Sequence, residues 1–155
     1  MIRKAEIRDI EAIMKLLVQV DMVHHSGRPD LFKGPATKYT QDELRSILKD
    51  DQNPIFVFVS DDGLVKGHAF CNIINQPANH VLTQIKTLYI DDICVDENAR
   101  GQHIGKALYD FVVSYAKEKG CYNVTLNVWE CNKGAKKFYE AMGMHVQKTG
   151  MEIIL

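Results

Sequence analysis

The stretch from Leu88 to Val128 constrains the fold more than any other part of the chain. Leu88 to Val95 is apolar over the length of a strand. Ile104 to Lys119 then carries Ile104, Leu108, Phe111, Val112 and Tyr115 on one helical face, and Val124-Thr-Leu-Asn-Val128 returns to strand character. A strand, a helix and a strand in succession cannot close as a hairpin. The helix has to cross over one face of the sheet and bring the second strand in parallel to the first, with right-handed sense. Gly120 is placed to end that helix.

The remaining elements build outward from this unit. Ile2 to Ile7 is a short strand, followed by Ile10, Ile13, Leu16, Leu17 and Val20 at helical spacing, with Asp9 placed as the N-cap. From His24 to Tyr39 the periodicity breaks into a polar loop punctuated by Gly and Pro, and loops of that length are often functional. Thr40-Gln-Asp-Glu43 is a capping box opening a second helix through Leu48. Ile55 to Val59 and Leu64 to Ile74 flank the turn Asp61-Asp-Gly63 as two strands of a meander. Asn132 to Met142 is a last helix closed by Gly143, and His145 to Leu155 is expected to add one or two strands. The order βααβββαβαβ describes an α/β (α+β) domain with a mixed central sheet flanked by helices. No linker or repeat divides the chain, so residues 1–155 are expected to form one domain.

Composition narrows the partners. Hydrophobic residues make up 46% and charged residues 25%, which excludes intrinsic disorder. Nineteen basic against twenty acidic residues argue against binding nucleic acid by bulk charge. No apolar run approaches the roughly 20 residues that span a bilayer, so no membrane role is expected. Cys71, Cys94, Cys121 and Cys131 form no CxxC pair. Dispersed thiols without a signal peptide fit a reducing cytoplasm.

The chemistry concentrates in Ile93-Cys-Val-Asp-Glu-Asn-Ala-Arg-Gly-Gln-His-Ile-Gly-Lys106, a strand, a polar loop and a helix start. Amide hydrogens of a first helical turn lack intrahelical partners and sit at the positive end of the dipole, which suits phosphate oxygens. Gly101 and Gly105 are expected to let the backbone approach such a ligand, with Arg100 adding charge. A Walker A loop needs four residues between its glycines, and only three separate Gly101 from Gly105. A dinucleotide G-x-G-x-x-G is also absent.

Arg100-Gly-Gln-His-Ile-Gly105 resembles the acetyl-coenzyme A signature of the GNAT superfamily of N-acetyltransferases, Gln/Arg-x-x-Gly-x-Gly/Ala. Asn132-Lys-Gly-Ala-Lys-Lys-Phe-Tyr-Glu-Ala-Met-Gly143 resembles a second family motif, Asn-x-x-Ala-x-x-Phe-Tyr-x-x-x-Gly. Both stand in the expected element order, so the resemblance covers nearly the whole chain and is weakest over residues 24–54. It implies the GNAT acyl-CoA N-acyltransferase fold and acetyl transfer from acetyl-CoA, the cosubstrate, to a primary amine by direct attack in a ternary complex. One departure stands out: His103 occupies the place of the motif's first glycine. A helical backbone there tolerates the side chain, whereas a different conformation would weaken pyrophosphate binding.

The same resemblance assigns roles. Cofactor contacts fall on Ile93, Cys94 and Val95 of the strand, on Arg100, Gly101, Gln102, His103, Ile104, Gly105 and Lys106 of the loop and helix start, and on Asn132. Tyr139 aligns with the tyrosine that protonates the departing sulfur, against its plain reading as a core aromatic beside Phe138. Asp91 and Asp92 lie where the family carries a base. Alternating strand residues face opposite ways, so only one of them is expected to reach the pocket, and Asp91, sharing a face with Ile93, is preferred. His24, His25, Arg28 and Phe32 lie on the acceptor side of the cleft, with histidine an alternative base. No third ligand accompanies the two histidines, so no metal site is expected. Cys94, Cys121 and Cys131 are expected to be structural thiols rather than acyl carriers, and Trp129 a packing residue. A rival from another class is a non-catalytic acyl-CoA sensor or partner-binding module, favoured by His103 and opposed by Tyr139. The apolar end Met151-Glu-Ile-Ile-Leu155 offers a pairing edge for a homodimer.

Overall fold

The computed structural model describes residues 1–155. Its elements are β1 (Ile2–Lys4), α1 (Ile10–Gly27), α2 (Gln41–Ile47), β2 (Ile55–Val59), β3 (Val65–Asn75), β4 (Lys86–Val95), α3 (Ile104–Glu118), β5 (Asn123–Leu126) and α4 (Lys133–Ala141). The five strands form one sheet in sequential order, antiparallel from β1 to β4 and parallel between β4 and β5. The expected crossover is therefore present, with α3 joining the parallel pair.

Helices cover both faces of the sheet, which explains why β2 is apolar without interruption. Ile55, Val57 and Val59 pack with Ile10, Ile13 and Leu17 of α1 and Leu44 of α2. Phe56 faces the other way, into a second core of Ala69, Cys71, Leu88 and Ile90 beneath Ile104, Leu108 and Val112 of α3. Gly120 and Gly143 take left-handed backbones (φ +68° and +89°) just past α3 and α4, as helix stops require. The Thr40 capping box forms as read, with Thr40 Oγ1 accepting from the Glu43 amide at 3.2 Å and Glu43 accepting from the Thr40 amide at 2.7 Å.

Three sequence expectations change. Asp9 does not cap α1 with its side chain. Its buried carboxylate instead takes both arms of the Arg3 guanidinium, at 2.6 and 2.9 Å, and the Glu6 amide at 2.8 Å, because an unpaired carboxylate in that position would be costly. The first helix runs through His24, His25 and Ser26 to Gly27. It stops where Pro29 disfavours a helical Arg28, which adopts φ −141°, ψ 69°. Beyond α4, residues 144–155 form no strand. Met151, Ile153, Ile154 and Leu155 are exposed, and no strand edge or apolar face receives them. An ion pair from Arg28 to Glu152 anchors this segment.

Gly67 of β3 sets how closely α3 approaches the sheet. A Cβ there would lie 2.9 Å from the Cys94 carbonyl oxygen, 3.1 Å from Leu108 Cδ1 and 3.3 Å from Ile104 Cγ2. Gly67→Ala is expected to push the first turn of α3 outward and to destabilise the fold by about 1–3 kcal/mol in chemical denaturation. Wild-type stability would show that the helix start is free to shift.

Candidate active site

The loop between β4 and α3 is built from local conformational choices. Asp96 accepts the Asn98 amide at 3.1 Å and starts a short turn over Glu97–Ala99. Arg100 is then extended, Gly101 sits at φ +77°, and His103 is left-handed at φ 59°, ψ 13°. His103 is the sole non-glycine residue with positive φ. The helical backbone that would have tolerated its side chain is therefore not the one adopted. Histidine enters this region more readily than most residues, at a cost of about 1–2 kcal/mol.

The first intrahelical bond of this turn runs from the Ala107 amide to the His103 carbonyl, 3.0 Å. No side chain caps α3, whereas Thr40 and Asn132 cap α2 and α4. The amides of Ile104, Gly105 and Lys106 thus face outward at the positive end of the helix, beside the open space at Gly101. Gln102 and His103 are exposed at the same turn. A Cβ at Gly105 would meet Phe138 and Val95 at 3.6 Å, an ordinary contact distance. Lys106 pairs with Asp110 at 2.5 Å, and the Asn132 side chain accepts the Ala135 amide at 3.1 Å.

Beside this turn the sheet opens. Parallel pairing of β4 with β5 runs from Thr87↔Asn123 to Ile90↔Leu126 and stops, while β4 continues along β3 to Val95. The Asp96 amide donates to the Lys66 carbonyl at 2.9 Å. Antiparallel alternation from that pair turns the Cys94 backbone toward His68 and the amides of Ile93 and Val95 toward the gap. Of the three strand residues expected at the ligand, Cys94 is thus committed to β3. Its buried thiol donates to the Leu16 carbonyl at 3.5 Å and is pushed up to about 12 by burial, and burial also raises Cys121, so neither is poised as a thiolate.

A β-bulge decides where the two aspartates go. Phe70 pairs with Asp92 and Cys71 with Ile90, leaving Asp91 as an extra residue in β4. Strict alternation fails there. Asp91 and Asp92 both project to the α1 side, while Ile93 packs in the α3-side core and does not share a face with Asp91. The expectation that the two aspartates face opposite ways is corrected by this extra residue. Asp91 receives the Lys38 ammonium at 2.6 Å and the Tyr39 hydroxyl at 3.3 Å. It lines a cavity of about 220 Å³ with Tyr39, Ile47, Asn53, Phe70 and Asn72. Asp92 is held instead by His68 Nε2 at 2.8 Å.

Tyr139 is on α4 among Tyr109 and Phe138 (ring centroids 6.3 and 5.1 Å away). Burial, followed by the negative charge of Asp92, pushes its phenol well above the ordinary tyrosine range, so it stays protonated at neutral pH.

The acceptor-side residues are partly tied up. His24 stacks near Phe32 (5.1 Å), which meets Trp129 edge-on (5.3 Å). Trp129 is therefore a wall of this aromatic group as well as a packing residue. His25 Nδ1 is 2.7 Å from the Phe32 carbonyl, and Arg28 is paired with Asp30 and Glu152. Sequence reasoning missed Gly67, Asp21, Lys38 and His68. Asp21 faces the cluster from α1, and its carboxyl is raised by burial and by Asp92. The alternation of β3 places His68 with Phe70 on one face, which was the available signal for it.

Residues 20–144 match the Acetyltransferase (GNAT) family. The chain belongs to this family. A glucosamine 6-phosphate N-acetyltransferase of Arabidopsis thaliana is 39% identical over 59 residues, covering 38% of this chain and 38% of that enzyme. The alignments span about a third to a half of the length of the curated relatives matched. A Bacillus halodurans protein solved as a point mutant superposes with TM-score 0.96 at 30% identity, over 100% of this chain and 99% of that one. An aminoglycoside N-acetyltransferase solved with CoA superposes with TM-score 0.74 at 18% identity, over 100% and 98% of the two chains, and shares the fold.

GNAT proteins use acyl-CoA, and this structure suits such a ligand: an uncapped helix start for the pyrophosphate and two strand amides turned into a gap. His103→Gly would relieve the left-handed backbone. The variant is expected to be as stable as wild type or up to about 1 kcal/mol more stable, and to bind CoA more tightly by calorimetry. Weaker binding would show that the imidazole itself contacts the ligand.

Proposed function

We propose that the chain is an N-acetyltransferase, one catalytic domain over residues 1–155, that moves the acetyl group of acetyl-CoA to a primary amine by direct attack in a ternary complex. The observation that carries this reading is the uncapped start of α3 beside the point where β4–β5 pairing stops. The amides of Ile104, Gly105 and Lys106 with the Arg100 side chain hold the pyrophosphate, and those of Ile93 and Val95 hold the pantetheine arm and the acyl oxygen. Bound acetyl-CoA supplies an activated thioester carbonyl and a thiolate leaving group. Asp92 takes a proton from the acceptor ammonium, and Tyr139 gives its proton to the departing sulfur.

Asp92 displaces Asp91 as the base because Asp91 is already neutralised by Lys38. Burial, the largest single influence, would lower the Lys38 ammonium, but the hydrogen bond to Asp91 and the negative charges around it together outweigh burial and keep the charge. Asp21, Asp91 and Asp92 make the acceptor side acidic, which suits a cationic amine. His24 and Phe32 with Trp129 form one wall of that side, and His25 and Arg28 fix the loop. No helix is long and apolar enough to cross a membrane, and the four free thiols suit a cytoplasmic enzyme. The exposed apolar tail suits pairing with a second copy, read by light scattering as a dimer.

Calorimetry with acetyl-CoA and thiol release against a panel of amines test the activity together. Failure to bind acetyl-CoA, or binding without thiol release from any amine, would sink it. Tyr139→Phe is expected to cut kcat about a hundredfold with CoA binding intact. Asp92→Asn should remove the acidic limb of the pH–rate profile that Asp91→Asn retains; the reverse result would return the base to Asp91.

A further inference from the structure

We infer that His68 of β3 is a positioning residue for Asp92, fixing one carboxylate oxygen so that the other is aimed at the acceptor amine. This deepens the proposed function and rests on Asp92 being its base.

The imidazole is 0% exposed, and its Nε2 lies 2.8 Å from Asp92 Oδ2. A carboxylate only accepts, so Nε2 carries the hydrogen. The ring's Nδ1 has no partner anywhere in the protein. Phe70, two residues along the same face, meets the His68 ring edge-on at 5.0 Å and is itself covered by the Tyr39 ring at 5.6 Å. An apolar side chain would fill this site without burying an orphan nitrogen, which costs stability. Packing therefore does not account for a histidine here. What the residue adds is one N–H donor, held rigidly by a central strand and directed at the carboxylate beside the gap. With Oδ2 held, Oδ1 is the oxygen left to take a proton. The other charged groups at this spot are Asp21 from α1 and Lys38 from the loop before α2, the latter engaged by Asp91. The His68–Asp92 pair is thus separate from the Lys38–Asp91 pair.

Three variants at 68 test the assignment on the full-length protein, with CoA affinity by calorimetry and the thermal midpoint followed throughout. His68→Phe fills the pocket without a donor. It is expected to hold the thermal midpoint and CoA affinity, to lower kcat by tenfold or more, and to move the acidic limb of the pH–rate profile toward neutral pH. His68→Gln presents an N–H at similar reach and is expected to restore most of kcat and the limb; His68→Asn, whose amide falls short, is not. If the Phe variant fails to fold, the contrast between Gln and Asn decides. In the Asp92→Asn background His68→Phe should cause no further loss. Wild-type kcat and limb in His68→Phe, or equal losses in Gln and Asn that track a fallen thermal midpoint, would overturn the assignment. An Asp92→Asn variant that keeps its acidic limb would instead show that the base itself was misassigned, and the positioning role would fall with it.

Discussion

A single surplus residue in β4 governs the geometry of the site. With Asp91 inserted opposite the Phe70–Cys71 step, β4 bends and its alternation shifts by one. Below the bulge, Leu88 and Ile90 face the α3-side core. Above it, Ile93 and Val95 do so, and their amides turn away from β3. The parallel pairing with β5 ends at Ile90, the residue just before the bulge. The opening in the sheet, the free amides and the two aspartates on one face all follow from that step. A regular β4 would have paired onward with β5 and left no gap.

The electrostatics follow from the same place. Two adjacent carboxylates facing one way repel each other, and each is given its own partner: a mobile ammonium on a loop for Asp91 and a buried imidazole on a strand for Asp92. The first is an ion pair from a loop, the second a hydrogen bond from a buried ring on the central sheet. Asp92 then remains the field that, after burial, raises the Tyr139 phenol and adds to the raised carboxyl of Asp21.

Much of this was legible from residue order. Apolar spacing placed α3 between parallel strands, the Thr40 capping box formed, and Gly120 and Gly143 ended their helices. Other features depended on contacts that no local pattern encodes. Asp9 looks like a helix cap until Arg3 reaches it, and α1 outlasts its apolar period because nothing before Pro29 forbids the helix. The strand expected after His145 had suitable side chains but does not pair, although β5 leaves one edge of the sheet open.

The chain's own order therefore determined the elements from β1 to α4, the family and the glycine turn before α3, since helix caps, glycine stops and hydrophobic period act within a few residues. Tertiary structure alone decided which way Asp91 and Asp92 face, that His103 is left-handed and that His68 meets Asp92. A bulge is defined by two strands in register, and a hydrogen bond between residues 24 positions apart exists only once that register is set.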